Sequence, residues 1–585
     1  MSGTVLRIAW VAPLLFACLA VGGPAEPVRL GAPVVFTQLP QDNSLAPRAL
    51  LRGDYGRGGR LALLLPDGNV RVLSKGFESA ADPEVSFDGK RILFAARKTA
   101  SDHWNIYEMG ADGSGPRQVT RNLGDCRNPV YQSALFYLND PHPIYQVTFV
   151  SAMAGELNLY SVRLDGSESR RLTYTASSSF DPFQMPDGRI LFSSLYGVRV
   201  DLFGVNLDGT DYTAFSGPQG RTIKQMACTT ANRQVVFIEG DRASWDGAGS
   251  VATLSLRRNL HSYRPLTKPA DGLYHSPSPL PDGAVLISRR PADGPGTYGI
   301  YRLDPENGRA QLVFADPRHH SIQAKIVAPR EEPDGRSTVV DESEPNAVLY
   351  CLSVNTTDFA DPSWMPAGSA KRLRVVEGVP PKAKNAPFLR RLLGEINLDE
   401  DGSFHIQVPA NLPIELQALD ADGLALRSCG WIWAKNKENR GCIGCHEDGE
   451  RTPENLVPKA LEHPANQLTL PPERRRTVDF RRDIFPILAV RCAKCHAAAL
   501  LSLNSADSAN RSLRTHIRPS ARTSPLIWRI YGRNTARPWD GVTAAPVKPM
   551  PPAGSPPLTI EEKRAIAEWI DLGAPWDAPP AGGQR

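Results

Sequence analysis

The chain from about Leu61 to Val327 repeats one alternation of apolar and polar residues. Three segments, 82–94, 181–192 and 276–287, begin with a proline-containing stretch, turn at Asp-Gly and continue into an apolar run. Two apolar runs on either side of Asp-Gly indicate a β-hairpin. The turns start at 88, 187 and 282, so neighbours lie 99 and 95 residues apart, about two propeller blades of roughly 40 to 50 residues each. We therefore expect less regular blades between them.

A second phrase occupies the same region, an alternating strand that ends in Asp-Gly at 105–113, 159–166 and 202–209. Such hairpins cannot bury their faces alone, and stacking them radially gives a β-propeller. The sequence predicts a propeller over residues 55–330. The Asp-Pro and Asp-Gly-Lys signatures resemble the TolB-type propeller. That likeness implies a fold and little about activity, because propellers carry many functions.

The polar segment 330–335 predicts a linker, and shorter alternating runs follow it. The runs are 347–355, 372–377, 393–398, 403–408 and 414–420. Together they predict a small β-sandwich within residues 340–470. The sandwich leads through Trp431 and Trp433 into a cysteine motif. These two indoles either fill the sandwich core or pack against a cofactor.

From about residue 477 the apolar residues follow a helical period. One helical face carries Phe480, Ile484, Ile487 and Leu488, with Pro486 in a first turn or at a kink. A capping box at Thr559 and Glu562 precedes an apolar stripe of Ile566, Trp569 and Ile570, which Gly573 closes. Residues 477–580 are therefore predicted to be a small all-α domain with a helix at each end. The whole chain is predicted to be multidomain and mainly β.

The N-terminus predicts export. One early arginine, an apolar run from Ile8 to Val21 and small residues behind it are typical of a signal peptide, assigned to residues 1–25. Cys18 either marks a lipid-anchoring site or is lost with the signal. No later segment has the roughly 20 continuous apolar residues of a spanning helix, so no transmembrane segment is expected in the mature, periplasmic or otherwise exported chain.

The charge of the chain excludes one class of partner. The formal net charge of +5 is spread over 585 residues. Nucleic-acid binding needs a clustered basic face, so no nucleic-acid partner is expected. The arginines at 474–476 and 481–482 either dock an acidic redox partner or form a solvated face.

Two Cys-x-x-Cys-His motifs carry the clearest chemistry. Cys442, Cys445 and His446 form the first, and Cys492, Cys495 and His496 form the second. Two thiols that reach the vinyl groups of one porphyrin, plus an imidazole for its iron, are the signature of c-type haem attachment. Zinc ribbons usually separate their cysteine pairs by about 15 to 20 residues, whereas 46 residues intervene here. We therefore expect two covalently bound haems.

The last region resembles the small cytochrome c domains of exported planctomycete and proteobacterial proteins. The likeness rests on Asp-Ile-Phe-Pro-Ile-Leu at 483–488, Lys-Pro-Met-Pro-Pro at 548–552 and Glu-Trp-Ile-Asp-Leu-Gly-Ala at 568–574. It implies that His496 is the proximal iron ligand and Met550 the distal one. His516 is the alternative distal ligand, which would give a lower potential. A six-coordinate iron of either kind favours electron transfer.

The order of propeller, β-rich haem domain and cytochrome domain resembles the hydrazine synthase alpha subunit family. The resemblance implies a haem-dependent oxidoreductase acting on a small, nitrogenous substrate. In that family the catalytic haem depends on a tyrosine shortly after the cysteine motif. Here the first tyrosine after His446 is Tyr531, so the family's own reaction is not assigned to this chain, and no catalytic residue is named.

Several residues keep two interpretations. His405 and His463 are candidate distal ligands of the first haem or ordinary histidines. Of the other cysteines, Cys351 and Cys429 either form a disulfide bond or are free thiols. Cys126 and Cys228 are either oxidised or buried thiols. The histidines His275, His319 and His320 serve a propeller-mouth or metal site, or lie in exposed loops.

The leading functional hypothesis is an exported dihaem cytochrome that exchanges electrons with a periplasmic redox partner and that acts, if it is an enzyme, on a small molecule. The alternative is a propeller-based binding or sensor protein with accessory haems.

Overall fold

The structure is a computed structural model. It describes residues 26–41, 56–138, 140–196, 199–242, 247–293, 296–359, 361–380, 388–445, 457–496, 502–542 and 546–576. In this part of the chain, 34 β-strands and four α-helices are present, so the protein is mainly β. No helix among these residues is long and apolar enough to cross a membrane.

Six antiparallel blades of four strands form the N-terminal propeller. Blade one contains β1 (Val34–Pro40), β2 (Arg60–Leu64) and β3 (Val70–Val72). Blade two contains β4 (Ser79–Val85), β5 (Arg91–Arg97), β6 (Asn105–Gly110) and β7 (Arg117–Gln118). Blade three contains β8 (Cys126–Tyr131), β10 (Gln146–Ala154), β11 (Glu156–Arg163) and β12 (Arg170–Arg171), with the separate strand β9 (Leu135–Tyr137) between β8 and β10.

The remaining blades follow the same plan. Blade four contains β13 (Ser179–Gln184), β14 (Ile190–Tyr196), β15 (Arg199–Val205) and β16 (Thr213–Ala214). Blade five contains β17 (Ile223–Thr229), β18 (Gln234–Gly240), β19 (Ser250–Ser255) and β20 (Arg264–Pro265). Blade six contains β21 (Leu273–Pro279), β22 (Val285–Arg290), β23 (Gly299–Leu303) and β24 (Ala310–Phe314). A parallel pairing between β15 and β17 joins blades four and five into one eight-stranded sheet.

The first blade closes the ring. Strand β25 (His319–Ile326) pairs antiparallel with β1, so the two ends of the propeller share one sheet. The propeller therefore begins before residue 55, the predicted boundary. Sequence reasoning missed β1 because it lacks the Asp-Gly phrase and pairs with a strand more than 270 residues away.

One residue in the inner strand of every blade has a left-handed backbone. The six are Asp82, Asn128, Asp181, Met226, Ser276 and Gln323, with φ between 48° and 58°. They recur every 45 to 53 residues, one per blade. The three Asp-Gly turns fall in blades two, four and six, which confirms that two blades separate successive turns.

The middle region contains two sheets of four strands. The first holds β27 (Asn346–Cys351), β30 (Phe404–Pro409), β33 (Asn439–Cys442) and β34 (Asn466–Gln467). The second holds β28 (Arg372–Val379), β29 (Leu389–Asn397), β31 (Ile414–Leu419) and β32 (Ala425–Ser428). Leu349 and Ile406 of one sheet share a core with Leu373 and Leu416 of the other, as expected of a sandwich. The predicted linker packs on the propeller, because the Arg330 N–H donates to the Phe87 oxygen at 2.8 Å and the Asp334 N–H donates to the Pro186 oxygen at 3.1 Å. After it, β26 (Arg336–Thr338) pairs with β9.

A tryptophan holds the sandwich against the propeller. Trp433 is fully buried, its ring centroid is 4.2 Å from that of Tyr212, and its Nε1 donates to the Gly209 oxygen at 2.9 Å. Glu438 accepts a hydrogen bond from the Asp211 backbone N–H at 2.9 Å. Of the two interpretations of Trp433, packing within the protein core or packing against a cofactor, these contacts favour core packing.

Four short helices occupy the last region: α1 (Phe485–Arg491), α2 (Ala506–Leu513), α3 (Pro525–Tyr531) and α4 (Ile560–Asp571). Pro486 lies in the first turn of α1, and Thr559 and Glu562 form the predicted capping box of α4. The helices expected at both ends are thus present. Helices α2 and α3 lie between them and were not predicted individually.

Candidate functional site

The thiols of the first motif lie at the edge of the sandwich. Strand β33 runs parallel to β27 and places Cys442 opposite Cys351, so both side chains are on the same face of the sheet. Cys445 is held by its backbone N–H, which donates to the Thr356 oxygen at 2.9 Å. His446 lies outside the described residues. Cys442 and Cys445 are half-buried and form no disulfide bond with another described cysteine.

Cys429 completes a group of four cysteines in one apolar cluster. Burial raises the pKa of its thiol well above the usual value, and the nearby Cys445 and Cys442 thiols raise it further. Its Sγ accepts from the Leu416 N–H at 3.2 Å. No disulfide bond joins Cys351 and Cys429, both of which the structure describes. No three His, Cys, Asp or Glu side chains among the described residues are arranged to hold a metal ion.

The histidines considered for the first haem lie elsewhere. His405 pairs with Tyr350, the neighbour of Cys351, and so points to the opposite face of the sheet from Cys442. Its Nδ1 is 3.1 Å from the His463 oxygen, and His463 Nε2 is 3.2 Å from Asp399 Oδ1. These contacts favour the ordinary interpretation of both histidines.

The second motif forms one compact turn at the end of α1. The Cys492 N–H donates to the Leu488 oxygen at 2.8 Å, and the His496 N–H donates to the Cys492 oxygen at 3.1 Å. Burial raises the pKa of the Cys492 thiol. Among the described residues, the half-buried His496 imidazole makes no hydrogen bond or ion pair. Two free thiols and an unpartnered imidazole therefore share one short turn.

Both distal candidates lie beside α3. The Met550 N–H donates to the Arg529 oxygen at 2.8 Å, at the C-terminal end of the helix. The His516 oxygen accepts from the Leu526 N–H at 3.0 Å, at the other end. His516 Nδ1 is also 3.2 Å from the Ser512 oxygen. The backbone positions do not choose between them.

A cavity of about 730 Å³ separates the sandwich from the C-terminal helices. Its walls include four arginines, Arg390, Arg427, Arg518 and Arg522, against two acidic residues, Glu415 and Asp571. Ser428, next to Cys429, also lines it. Trp539 lines the cavity as well and packs against the same apolar cluster as Cys429, Cys442 and Cys445. Sequence reasoning missed the cavity, because its arginines come from β29, β32 and the loop between α2 and α3.

The other candidates have structural partners. Arg475 pairs with Glu377, Arg476 with Glu568 at 2.6 Å, and Arg481 with Asp507 at 2.6 Å. These pairs join the last region to the sandwich or lie within it, so the cluster is not simply a solvated face.

The interpretation that the propeller histidines lie in exposed loops is wrong. His275 and His320 are buried, and His319 is partly buried; they belong to β21 and β25. His319 Nδ1 is 2.9 Å from Asp316 Oδ2, and His275 Nδ1 is 2.5 Å from Ser276 Oγ. The inner strands of the blades are covered on both faces, and this covering buries the histidines.

This chain was compared with known protein families and structures. The model of the hydrazine synthase alpha subunit middle domain matches residues 381–447, which end at the first cysteine motif. The chain is a relative of the hydrazine synthase alpha subunit. Hydrazine synthase subunit alpha from Kuenenia stuttgartiensis is 25% identical over 94% of this chain and 92% of its own length.

The solved structure of Kuenenia stuttgartiensis hydrazine synthase agrees with this relationship. It superposes with a TM-score of 0.78 at 24% identity, over 94% of this chain and 95% of that chain. TolB from Acinetobacter baumannii matches 51% of this chain and 67% of its own, at 15% identity and a TM-score of 0.38. The expected likeness to the hydrazine synthase alpha subunit is thus confirmed, whereas the cytochrome c fold of residues 477–580 stays a prediction.

Proposed function

We propose that this relative of the hydrazine synthase alpha subunit is an exported redox protein with two covalently attached c-type haems. The observation that carries the proposal is the turn at the end of α1, where Cys492, Cys495 and His496 are held together by backbone hydrogen bonds. Haem attachment needs two free thiols and an imidazole in this order. The unpartnered His496 ring fits that requirement.

The first motif also fits a haem. Cys442 and Cys445 are half-buried and pack against the same apolar cluster as Trp539, which lines a cavity of about 730 Å³. That volume is within the usual range of roughly 300 to 1,000 Å³ for cofactor sites. Haem bound at the two motifs would supply one-electron transfer. His446 and His496 would each present an imidazole to the iron.

The two sites are proposed to differ in openness. Met550 is proposed as the distal ligand of the second haem, as the resemblance to small cytochrome c domains implies, with His516 as the alternative; both lie beside α3. For the first haem, no distal ligand is assigned, because His405 and His463 are engaged elsewhere. This difference supports electron transfer at the second site and small-molecule binding at the first.

Tyr531, the first tyrosine after His446, has a packing role: its hydroxyl donates to the Asp422 oxygen at 3.2 Å. The substrate is therefore proposed only by class, as a small and nitrogenous molecule. The relative is described as a subunit. By analogy, we propose that this chain works in a complex with other subunits and a redox partner.

The test is the haem content of the mature chain, purified from a host with haem-maturation machinery. The pyridine haemochrome assay should give two haems per chain, and Cys492→Ala should lose normal two-thioether attachment at the second site while the first haem stays bound. The matched control is Cys228→Ala, which alters a buried propeller thiol and should keep both haems. A colourless denatured chain whose native sample contains zinc would overturn the proposal.

Carbon monoxide then separates the roles of the two haems. After reduction, a spectral shift in one haem indicates an open iron and supports small-molecule chemistry at the first site. An unchanged spectrum would contradict the open first site and would favour pure electron transfer or a sensor role built on the propeller.

A further inference from the structure

The cavity between the sandwich and the C-terminal helices is rich in hydrogen-bond donors that lack acceptors. Three of its wall atoms are shielded from solvent and have no hydrogen-bond partner among the described residues: Arg427 Nε, Ser520 Oγ and Trp539 Nε1. Leaving a buried polar group unpaired costs roughly 1 to 3 kcal/mol, so such groups usually pair with a protein group, an ordered water or a ligand. Two of the three are donors only.

Arg518 adds an uncompensated positive charge to the same wall. Arg390 pairs with Glu415 at 2.8 Å, Arg427 with Asp358 at 2.6 Å, and Arg522 with Asp540 at 2.5 Å. Arg518 has no ion pair among the described residues, and its guanidinium lies over the Trp528 ring at 5.9 Å. The wall therefore favours a ligand that brings negative charge and hydrogen-bond acceptors.

Contacts through Trp539 connect the cavity to the thiols of the first motif. Trp539 lines the cavity and packs against the same apolar cluster as Cys429, Cys442 and Cys445. The Cys445 N–H donates to the Thr356 oxygen, and Phe359 in the same loop stacks on Trp539, with ring centroids 4.6 Å apart. A group tethered to these cysteines could therefore extend into the cavity.

We infer that the cavity receives the propionate edge of the haem attached to Cys442 and Cys445, with Arg518 and the Trp539 indole N–H as the groups that bind its carboxylates. The inference rests on the proposed function. A haem carries two carboxylates, which match the acceptor-poor and cationic wall. Since the wall comes from both the sandwich and the C-terminal helices, the first haem also joins these two regions.

The test measures the midpoint potential of the first haem alone. Cys492→Ala/Cys495→Ala should retain only the first haem, so one Nernst wave should remain. In this background, Arg518→Gln should lower the midpoint potential, because a nearby cation favours the less positive, reduced haem. Arg518→Lys keeps the charge and should restore most of the potential.

Trp539→Phe tests the second group, because it removes the indole N–H and keeps the ring that stacks on Phe359. It should also lower the potential. Arg318→Gln, at an arginine whose side chain is 83% exposed on the propeller, is the control and should leave the potential unchanged.

Failure of this inference differs from failure of the proposed function. One haem per chain in the double-cysteine background, with the same potential in Arg518→Gln and Trp539→Phe as in Arg318→Gln, would overturn the placement of the propionates and leave the haem assignment intact. Absence of any haem from the otherwise wild-type chain would overturn the proposed function itself.

Discussion

Asp571, at the end of α4, accepts a hydrogen bond from the backbone N–H of Ala425 in β32 at 3.2 Å. Its other carboxylate oxygen accepts from the Ala521 N–H at 2.7 Å. One buried carboxyl group therefore fastens the last helix to the sandwich and to the loop before α3. Burial raises the pKa of Asp571 to about 6, although Arg374 opposes the shift.

This raised pKa predicts a pH dependence. Between about pH 4 and 6 the folded chain holds a proton that the unfolded chain releases, so Asp571 should lower the free energy of unfolding as pH rises through this window. The effect should amount to a few kcal/mol and level off above pH 6. Thermal unfolding at pH 4.5 and 7 measures it.

Asp571→Asn should reduce the difference between the two pH values, because the amide does not titrate. It should also lower stability at both, since it turns one acceptor into a donor facing a backbone N–H. Asp507→Asn, at an exposed position in α2, is the control and should retain the wild-type difference. An Asp571→Asn chain with the full wild-type difference would show that another group is responsible.

Variants of Met550 and of His516 should give opposite results at the proposed second haem. If Met550 is the distal ligand, Met550→Leu should open the iron, so the reduced second haem should bind carbon monoxide, whereas His516→Leu should leave its spectrum unchanged. Absorption spectra of the reduced chain in the Cys442→Ala/Cys445→Ala background record the second haem alone. The reverse result would assign His516 as the ligand.

Trp433 should contribute strongly to the stability of the junction between propeller and sandwich. Trp433→Ala should lower the free energy of unfolding by roughly 3 to 5 kcal/mol, because it empties a fully buried site. Trp433→Phe should cost less, since it keeps part of the contact with Tyr212 and loses the hydrogen bond to Gly209. Denaturant unfolding checks the order of the three proteins, and equal stability of both variants would contradict this role.

Asp82 should contribute to the stability of the propeller ring. It has φ of 56°, and its carboxylate binds the Arg127 side chain at 2.6 Å and the Asn128 N–H at 3.1 Å. Burial raises its pKa, yet Arg127 and the hydrogen bonds outweigh burial and keep the pKa below its usual value. Asp82→Ala should cost roughly 3 to 5 kcal/mol, because it removes the buried carboxylate that pairs with the mostly buried Arg127 guanidinium.

Asp82→Asn is the matched comparison. Asparagine tolerates the left-handed backbone and keeps one acceptor, so its cost should be smaller. The midpoint of urea unfolding, followed by a propeller signal, measures both variants. If Asp82→Asn proved as damaging as Asp82→Ala, charge rather than backbone conformation would dominate at this position.

Local patterns in the sequence determined much of the architecture. The Asp-Gly hairpins predicted a propeller with a spacing of two blades from one turn to the next, alternating runs predicted the sandwich, and Thr559 with Glu562 predicted the start of α4. These features depend on neighbours within one turn or one hairpin, where residue type and spacing act directly. The cysteine motifs belong to the same class.

Only the tertiary structure decided the rest. The pairing of β1 with β25, the register of Cys442 with Cys351 and the meeting of Arg427 with Arg518 across one cavity join residues far apart in the chain. Such contacts depend on how sheets close and pack, and a period of two or 3.6 residues carries no information about them. The sequence by itself therefore determined which groups are proposed to bind a haem, whereas packing between regions decided which charges and donors line the cavity proposed to receive it.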